Sequence, residues 1–227
     1  MQRENDIPFS HELVRKSIHL LSLSIPIAYY YWSRQTMLEI LVPLAALSVL
    51  LDTGRYYSIT LAKWFYAVFR PLLREHERDH SRKLLSGASY VFVSAVICIF
   101  IFPKLITVTS FSVLIISDTT AALVGRKYGK NKFFQKSLEG AAGFFVSALV
   151  VITIVPKLQD GAAEYVIAII GAAVATIVES ASIEMRMDDN LSIPLSMGLT
   201  MYILFYALSI MQPDQYLSLY NALVAYQ

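Results

Sequence analysis

The sequence predicts an all-α, polytopic membrane protein, about seven membrane-crossing helices with one amphipathic helix lying along the membrane surface. Three observations carry that prediction. Of the 227 residues 56% are hydrophobic and 16% charged, with a mean hydropathy of +0.54, which does not describe a soluble globule. Apolar runs recur along the whole chain, each near the length of about 20 residues that crosses a bilayer. The third observation is where the 19 Lys and Arg residues fall: an alternating path puts all of them except Arg34, Lys104 and Lys157 on the side of the N-terminus. By the positive-inside rule that side is cytoplasmic, and seven crossings leave the C-terminus outside.

Taken in order, residues 1–16 are polar, and no cleavage site follows a short apolar core, so no removable signal is expected. Spans are predicted near 17–33, 36–52, 84–103, 106–125, 140–156, 164–182 and 191–211, within a single integral-membrane domain over 1–227. Arg15, Lys16 and His19 stand three and four apart at the mouth of the first span and share one helix face. The second span ends on Asp52-Thr53-Gly54-Arg55. Residues 56–75 read as the surface helix, with Tyr56, Trp64, Phe65, Phe69 and Leu72 apolar and Lys63, Arg70 and Arg74 basic. The mixed-charge run from Glu75 to Lys83 reads as a solvated loop. Pro103 and Lys104 join spans three and four on the outer side. Asp118 lies in the fourth span, with the small residues Ala122 and Gly125 on its face, and Glu139, Gly140 and Gly143 open the fifth. Glu179 lies near the end of the sixth, and Asp188-Asp189-Asn190 lead into the seventh, where they can also serve as a helix cap. Cys98 is the one cysteine, so no internal disulfide or cysteine metal site is expected.

The densest chemistry runs from Ser117-Asp118 through Gly125-Arg126-Lys127-Tyr128-Gly129-Lys130 to Lys136-Ser137-Leu138-Glu139-Gly140. An acid inside a spanning helix costs about 2.5 to 3.5 kcal/mol, so Asp118 is a functional candidate by default. A basic loop alone is commonly a topology signal, but that does not explain the acids. The combination suits a polyphosphate carried with a divalent metal. Asp118 and Glu139 are hard oxygen ligands suited to Mg²⁺, and Arg126, Lys127, Lys130, Lys132 and Lys136 can meet phosphate oxygens. Gly125 and Gly129 would let backbone N–H groups approach the phosphates. Neither a Walker-type loop nor a protein-kinase glycine loop is present, and the net charge of +2 points to no nucleic acid.

At these residues the sequence resembles the membrane CTP-dependent lipid kinases, a family that includes dolichol kinase, phytol kinase and the yeast-type diacylglycerol kinase. The matching pieces are Arg15-Lys16 with His19, Asp52 with Arg55, Arg82 with Gly87, and Asp118 through Gly129. They continue with Lys136 through Gly140 plus Gly143, then Glu179 with Asp188-Asp189-Asn190-Leu191 and Pro194. The central block is also similar to phosphatidate cytidylyltransferase, but that family's histidine-glycine-glycine stretch and D-R-x-D acid pair are absent. The resemblance implies transfer of the γ-phosphoryl group of CTP, with Mg²⁺, to the hydroxyl of a lipid alcohol in the bilayer. The alcohol is a polyprenol, phytol or geranylgeraniol, or diacylglycerol, and the active site faces the cytoplasm. Asp118 and Glu139 would be catalytic, Asp118, Glu139, Asp188 and Asp189 would form the pool from which Mg²⁺ draws its ligands, and Asp189, Glu179 or His19 would take the hydroxyl proton. The nucleotide would lie against Arg15, Lys16, Gly125, Arg126, Lys127, Gly129, Lys130, Lys136, Ser137, Gly140 and Asn190. Two alternatives stay open. One is nucleotidyl transfer to give a CDP-lipid. The other is a small ion-coupled transporter, which would want acids at the bilayer midplane and an inverted repeat.

Overall fold

The structure is a computed structural model that describes residues 9–69, 85–159 and 161–226, with side chains from Arg15 onward. Ten helices and one small hairpin follow one another among the described residues. They are α1 (Phe9–Leu21), α2 (Ser24–Tyr31), α3 (Arg34–Gly54), α4 (Ile59–Phe69), α5 (Gly87–Ile101), α6 (Lys104–Tyr128), β1 (Lys132–Phe133), β2 (Lys136–Ser137), α7 (Leu138–Ile154), α8 (Ala162–Met185), α9 (Asp189–Met211) and α10 (Pro213–Ala225). By length and composition four of them, α3, α6, α8 and α9, can cross a membrane, and α5 and α7 are apolar but shorter.

The differences from the expected spans have local causes. The run 17–33 is two helices. Pro26 has no N–H to give the Ser22 carbonyl, and the chain tightens to three-residue bonds there, Ser22 N to His19 O and Leu23 N to Leu20 O, both at 3.0 Å. The run expected to form the surface helix contains the short α4, with Tyr56 and Tyr57 in the turn before it; Arg70, Leu72, Arg74 and the run from Glu75 to Lys83, Arg82 included, lie outside the described residues. After α9 the chain starts a further helix at Pro213, and α10 returns along it. There the Tyr202 and Tyr220 hydroxyls meet at 3.2 Å, and Leu219 and Leu223 are buried.

The axis of the bundle is α6, which packs against α7, α9, α2 and α1 and is buried along most of its length. Its interior is unusually rich in hydroxyls. Thr109 and Thr119 each donate to the carbonyl four residues back at 2.7 Å, so these polar groups are satisfied within the helix. Near its end α6 approaches α7 through glycine: a Cβ on Gly125 would stand 2.8 Å from Ser137 Oγ and 3.4 Å from Gly140 Cα.

The three cations that break the charge asymmetry hold helix ends. Arg34 donates to the Phe100 carbonyl at the end of α5, and Lys104 to the Trp32 carbonyl after α2 at 2.9 Å. Lys157 donates to the Ile152 and Val155 carbonyls at the end of α7, both at 2.6 Å. Each meets carbonyls that a helix C-terminus leaves open, where positive charge is favoured.

Gly125→Val should therefore part α6 from α7 and lower stability by about 1–3 kcal/mol. Thermal unfolding of the detergent-solubilised protein checks it, and an unchanged midpoint would mean that the close approach is not needed.

Candidate functional site

A polar site forms where α6 and α8 end and α7 and α9 begin, with α1 packed on α6. The shared face of Arg15, Lys16 and His19 explains the first contact. Lys16 Nζ donates to Asp118 Oδ2 at 2.5 Å and to the Asp118 carbonyl at 3.2 Å, and His19 Nε2 stands 3.6 Å from the same carboxylate oxygen. Lys16 is 2% exposed and Asp118 5%, so each neutralises a charge that would be costly alone.

The second contact depends on the hairpin. Lys132 pairs with Ser137 and Phe133 with Lys136, which leaves a two-residue turn of Phe134 and Gln135. Phe134 takes φ 52°, the left-handed backbone that such tight hairpin turns demand and that non-glycine residues adopt at a cost. The turn brings Lys136 back to the helix ends. Its Nζ donates to Glu179 Oε1 at 2.7 Å and lies 3.1 and 3.2 Å from the two oxygens of Asp189. Those acids come from separate helices that the short loop at Arg186 joins. Arg186 closes α8 at φ 54°, and Asp188 caps α9 by accepting from Asn190 N at 3.0 Å. Burial would pull the Lys136 ammonium down, but Asp189, Glu179 and Asp118 outweigh it and hold its pKa above the ordinary value.

These groups surround a cavity of about 470 Å³. Of the residues expected from sequence, it gathers Arg15, Lys16, Asp118, Gly125, Arg126, Lys136, Ser137, Gly140, Glu179 and Asp189, and it adds Gln135, which nothing in the sequence had marked. Lys127, Lys130, Lys132, Gly129 and Glu139 do not line it. The Mg²⁺ pool is also not gathered as expected, and among the described residues no three His, Cys, Asp or Glu side chains group as a metal cage. Asp118 is held by Lys16. Asp188 is a helix cap, and its Oδ1 also takes Asn190 Nδ2 at 2.8 Å. Glu139 is turned onto the preceding loop, where it accepts from Lys130 N at 3.0 Å, Asn131 N at 3.2 Å and Asn131 Nδ2 at 2.9 Å. Its own backbone N–H and that of Lys130 hold its carboxyl below the ordinary range against the effect of burial, and Asn131 adds to them. Of the two glycines expected to admit backbone donors, Gly125 lines the cavity, and Gly129 N donates to Gly125 O at 2.9 Å; Gly140 N donates to Ser137 Oγ at 3.1 Å at the start of α7.

A second cavity, of about 340 Å³, adjoins the first, and Arg15 lines both. Its walls are mainly apolar, from Ile18, Leu51, Phe65, Phe69, Val91 and Phe92, with His19, Ser48, Asp52, Ser86, Ser89 and Asn190 among them. Asp52 ties the end of α3 to the start of α5. Its Oδ2 accepts from Ser86 N and Ser86 Oγ at 2.7 Å and from Ser89 Oγ at 2.5 Å. Arg55, 1% exposed, pins α4 over this corner, its guanidinium 4.9 Å from the Tyr56 ring, 4.6 Å from Phe65 and 5.8 Å from Tyr66. The sequence offered signals for parts of this cavity, the acid and base spaced three apart at Asp52 and Arg55 and the apolar residues Phe65 and Phe69 of the predicted surface helix, and none for the void they enclose.

Compared with known proteins, the chain is 34% identical over 200 residues to an uncharacterized protein of Rickettsia prowazekii, across 88% of this chain and 98% of that one. It is also 34% identical over 98 residues to the CTP-dependent diacylglycerol kinase 1 of Schizosaccharomyces pombe, across 42% of this chain and 43% of that one. No protein-family profile and no solved structure matches.

If Glu139 anchors the loop, its contribution to stability is present above its ordinary pKa of 4.5 and is lost as pH falls through its lowered folded value. Glu139→Gln should therefore flatten the acid limb of the unfolding midpoint against pH and reduce activity without abolishing it. Complete loss of turnover with an unchanged acid limb would return Glu139 to the chemistry.

Proposed function

We propose, for a chain that belongs to the same family as an uncharacterized protein of Rickettsia prowazekii, that it is a CTP-dependent kinase acting on the hydroxyl of a membrane lipid alcohol. The observation that carries this reading is the pair of adjoining cavities, one lined with cations and acids and the other mainly apolar, with Arg15 in both walls. Such a pair suits a reaction between a polyphosphate from water and an alcohol from a bilayer. The partial likeness to a CTP-dependent diacylglycerol kinase supports CTP as donor and a lipid as acceptor. The cation asymmetry supports a polar cavity that opens to the cytoplasm.

Phosphoryl transfer asks for positioning and charge neutralisation more than for covalent help. Arg15, Arg126 and Lys136 line the polar cavity and would meet phosphate oxygens there, and Lys16 is committed to Asp118, which it holds in place. The residues fit Mg²⁺ in one respect: Glu179 and Asp189 converge on a single cationic point, now the Lys136 ammonium. That suits an ion held by one or two carboxylates together with substrate phosphates, the usual way such an ion is bound. When bound, Mg²⁺ neutralises charge on the transferring phosphoryl group. Of the three groups considered for the hydroxyl proton, Glu179 and Asp189 hold Lys136, and His19 Nε2 faces Asp118.

Supplying CTP labelled at the α or the γ phosphate, with Mg²⁺ and a panel of lipid alcohols and phosphatidate, tests the reaction. γ label in the lipid is expected; α label in the lipid would make the protein a cytidylyltransferase, and no label in any lipid would end the enzyme reading. Asp118→Asn and Lys16→Met should each cut turnover by about 10²-fold or more with membrane insertion retained. Near-normal rates in both would remove the Asp118 cavity from the reaction.

A further inference from the structure

Asp52 is a buried carboxylate that the phosphate site does not use. It is 1% exposed, and its three hydrogen-bond donors among the described residues all reach the same oxygen, Oδ2. The other oxygen, Oδ1, makes no hydrogen bond among the described residues, and Arg55 Nη2 stands 3.7 Å away, beyond hydrogen-bond reach, and donates to the Tyr56 hydroxyl at 2.9 Å. An acceptor kept from water without a donor is costly, so the geometry asks for a donor from elsewhere.

The cavity that Asp52 lines narrows the choice. At about 340 Å³ it lies at the lower end of the range for small-molecule sites, and Leu51, Phe65, Phe69, Val91 and Phe92 give it hydrocarbon walls. A cationic head would meet Arg15 in the wall and Arg55 beside Asp52, and an anionic head would meet Asp52 itself. A neutral hydroxyl on a hydrocarbon chain satisfies Oδ1 and fills the rest. On α4, whose Phe65 and Phe69 form one wall, Ile59, Trp64 and Val68 are exposed, an apolar outer surface suited to lipid.

We propose that this cavity is an alcohol-binding chamber for a lipid with a neutral hydroxyl head, and that Asp52 Oδ1 accepts the hydrogen bond of that hydroxyl. The chamber's place in catalysis rests on the kinase reading, with Arg15 as the shared wall between alcohol and phosphate; the binding itself does not. Two sources share this chemistry, a single-chain isoprenoid alcohol and diacylglycerol.

Photo-crosslinking of the full chain in bilayers, without nucleotide, tests the chamber. Two probes are used, geranylgeraniol and diacylglycerol, each with a diazirine in the hydrocarbon chain. Crosslinks should map to α4 and α5, and the probe that labels more strongly names the source. Asp52→Asn is informative because its amide oxygen can keep the Ser86 and Ser89 bonds while its NH₂ can donate to the hydroxyl but not accept from it, which replaces a charge-assisted bond with a weaker neutral one. Ala88→Phe fills the cavity from an exposed position and leaves Asp52 untouched. Crosslinking should fall about tenfold or more in each variant, and the acceptor KM should rise by a similar factor with the CTP KM unchanged. Crosslinks elsewhere, or yields unchanged in both variants, overturn the proposal. Crosslinks in the chamber without γ-label transfer would uphold the alcohol site and reject the kinase.

Discussion

The buried pair of Lys16 and Asp118 is the constraint from which the rest of the site follows. An acid in the central helix, away from water, has to be met by a cation, and the one that meets it comes from α1, 102 residues earlier. Meeting it ties the N-terminal helix to the core. Lys16 also bonds the Asp118 carbonyl, so the contact orients α1 against the α6 backbone as well as balancing charge. Once α1 is held there, Arg15 comes to the boundary between the two cavities and His19 comes within 3.6 Å of the acid. Replacing the pair with apolar residues of similar volume could preserve packing, but it would leave this end of the bundle without its fixed charges.

The two ends of the bundle treat charge differently. At the end that holds Arg34, Lys104 and Lys157, cations meet backbone carbonyls, and Glu164 meets backbone N–H groups, those of Leu158 and Gln159 at 2.9 Å. Every one of these contacts closes a helix end or a loop. At the other end Lys16 and Lys136 meet carboxylates from other elements around an open volume. Charges that satisfy backbone are structural and have little freedom to meet a ligand. Charges that satisfy one another beside a cavity can exchange partners with one, because a phosphate can take the place of a carboxylate on lysine. Glu139 sits at the second end but follows the first end's pattern: like Glu164 it lies in the first turn of a helix and holds the loop before it.

That contrast also explains what could be read from the chain beforehand. The apolar runs located α3 and α5 through α9 within a few residues, because burial of a helix face is written directly in hydrophobic periodicity. Asp118 stood out for the same reason, as the violation of an apolar run. Glu139 and Glu179 looked alike as acids beside small residues. Which of them turns to a backbone amide and which to Lys136 depends on a hairpin of two-residue strands, and Phe134 and Gln135 are poor turn residues that announce no such hairpin. The apolar cavity was illegible for another reason. Its walls come from α1, α3, α4 and α5, and side chains that line a void have the same composition as side chains that fill one. The break at Ser22 was readable in principle, from Pro26 four residues on, but a single apolar stretch from 17 to 33 masked it.

The division of the chain between the cavities follows from the same arrangement. The helices from α3 to α5 supply most of the apolar chamber, and those from α6 to α9 supply most of the polar one, so the two halves of the sequence build different solvents. What joins them is α1, through Arg15 in both walls, and the first turn of α9, where Asp189 faces the polar cavity and Asn190 the apolar one. Adjacent residues at a helix start point about 100° apart, which is enough to serve two chambers from one turn. A chain that keeps a charged group and a hydrocarbon chain in separate compartments, yet lets one arginine touch both, avoids a conflict that a single mixed pocket would face: apolar walls penalise uncompensated charge, and a wet polar pocket gives a lipid nothing to leave the bilayer for.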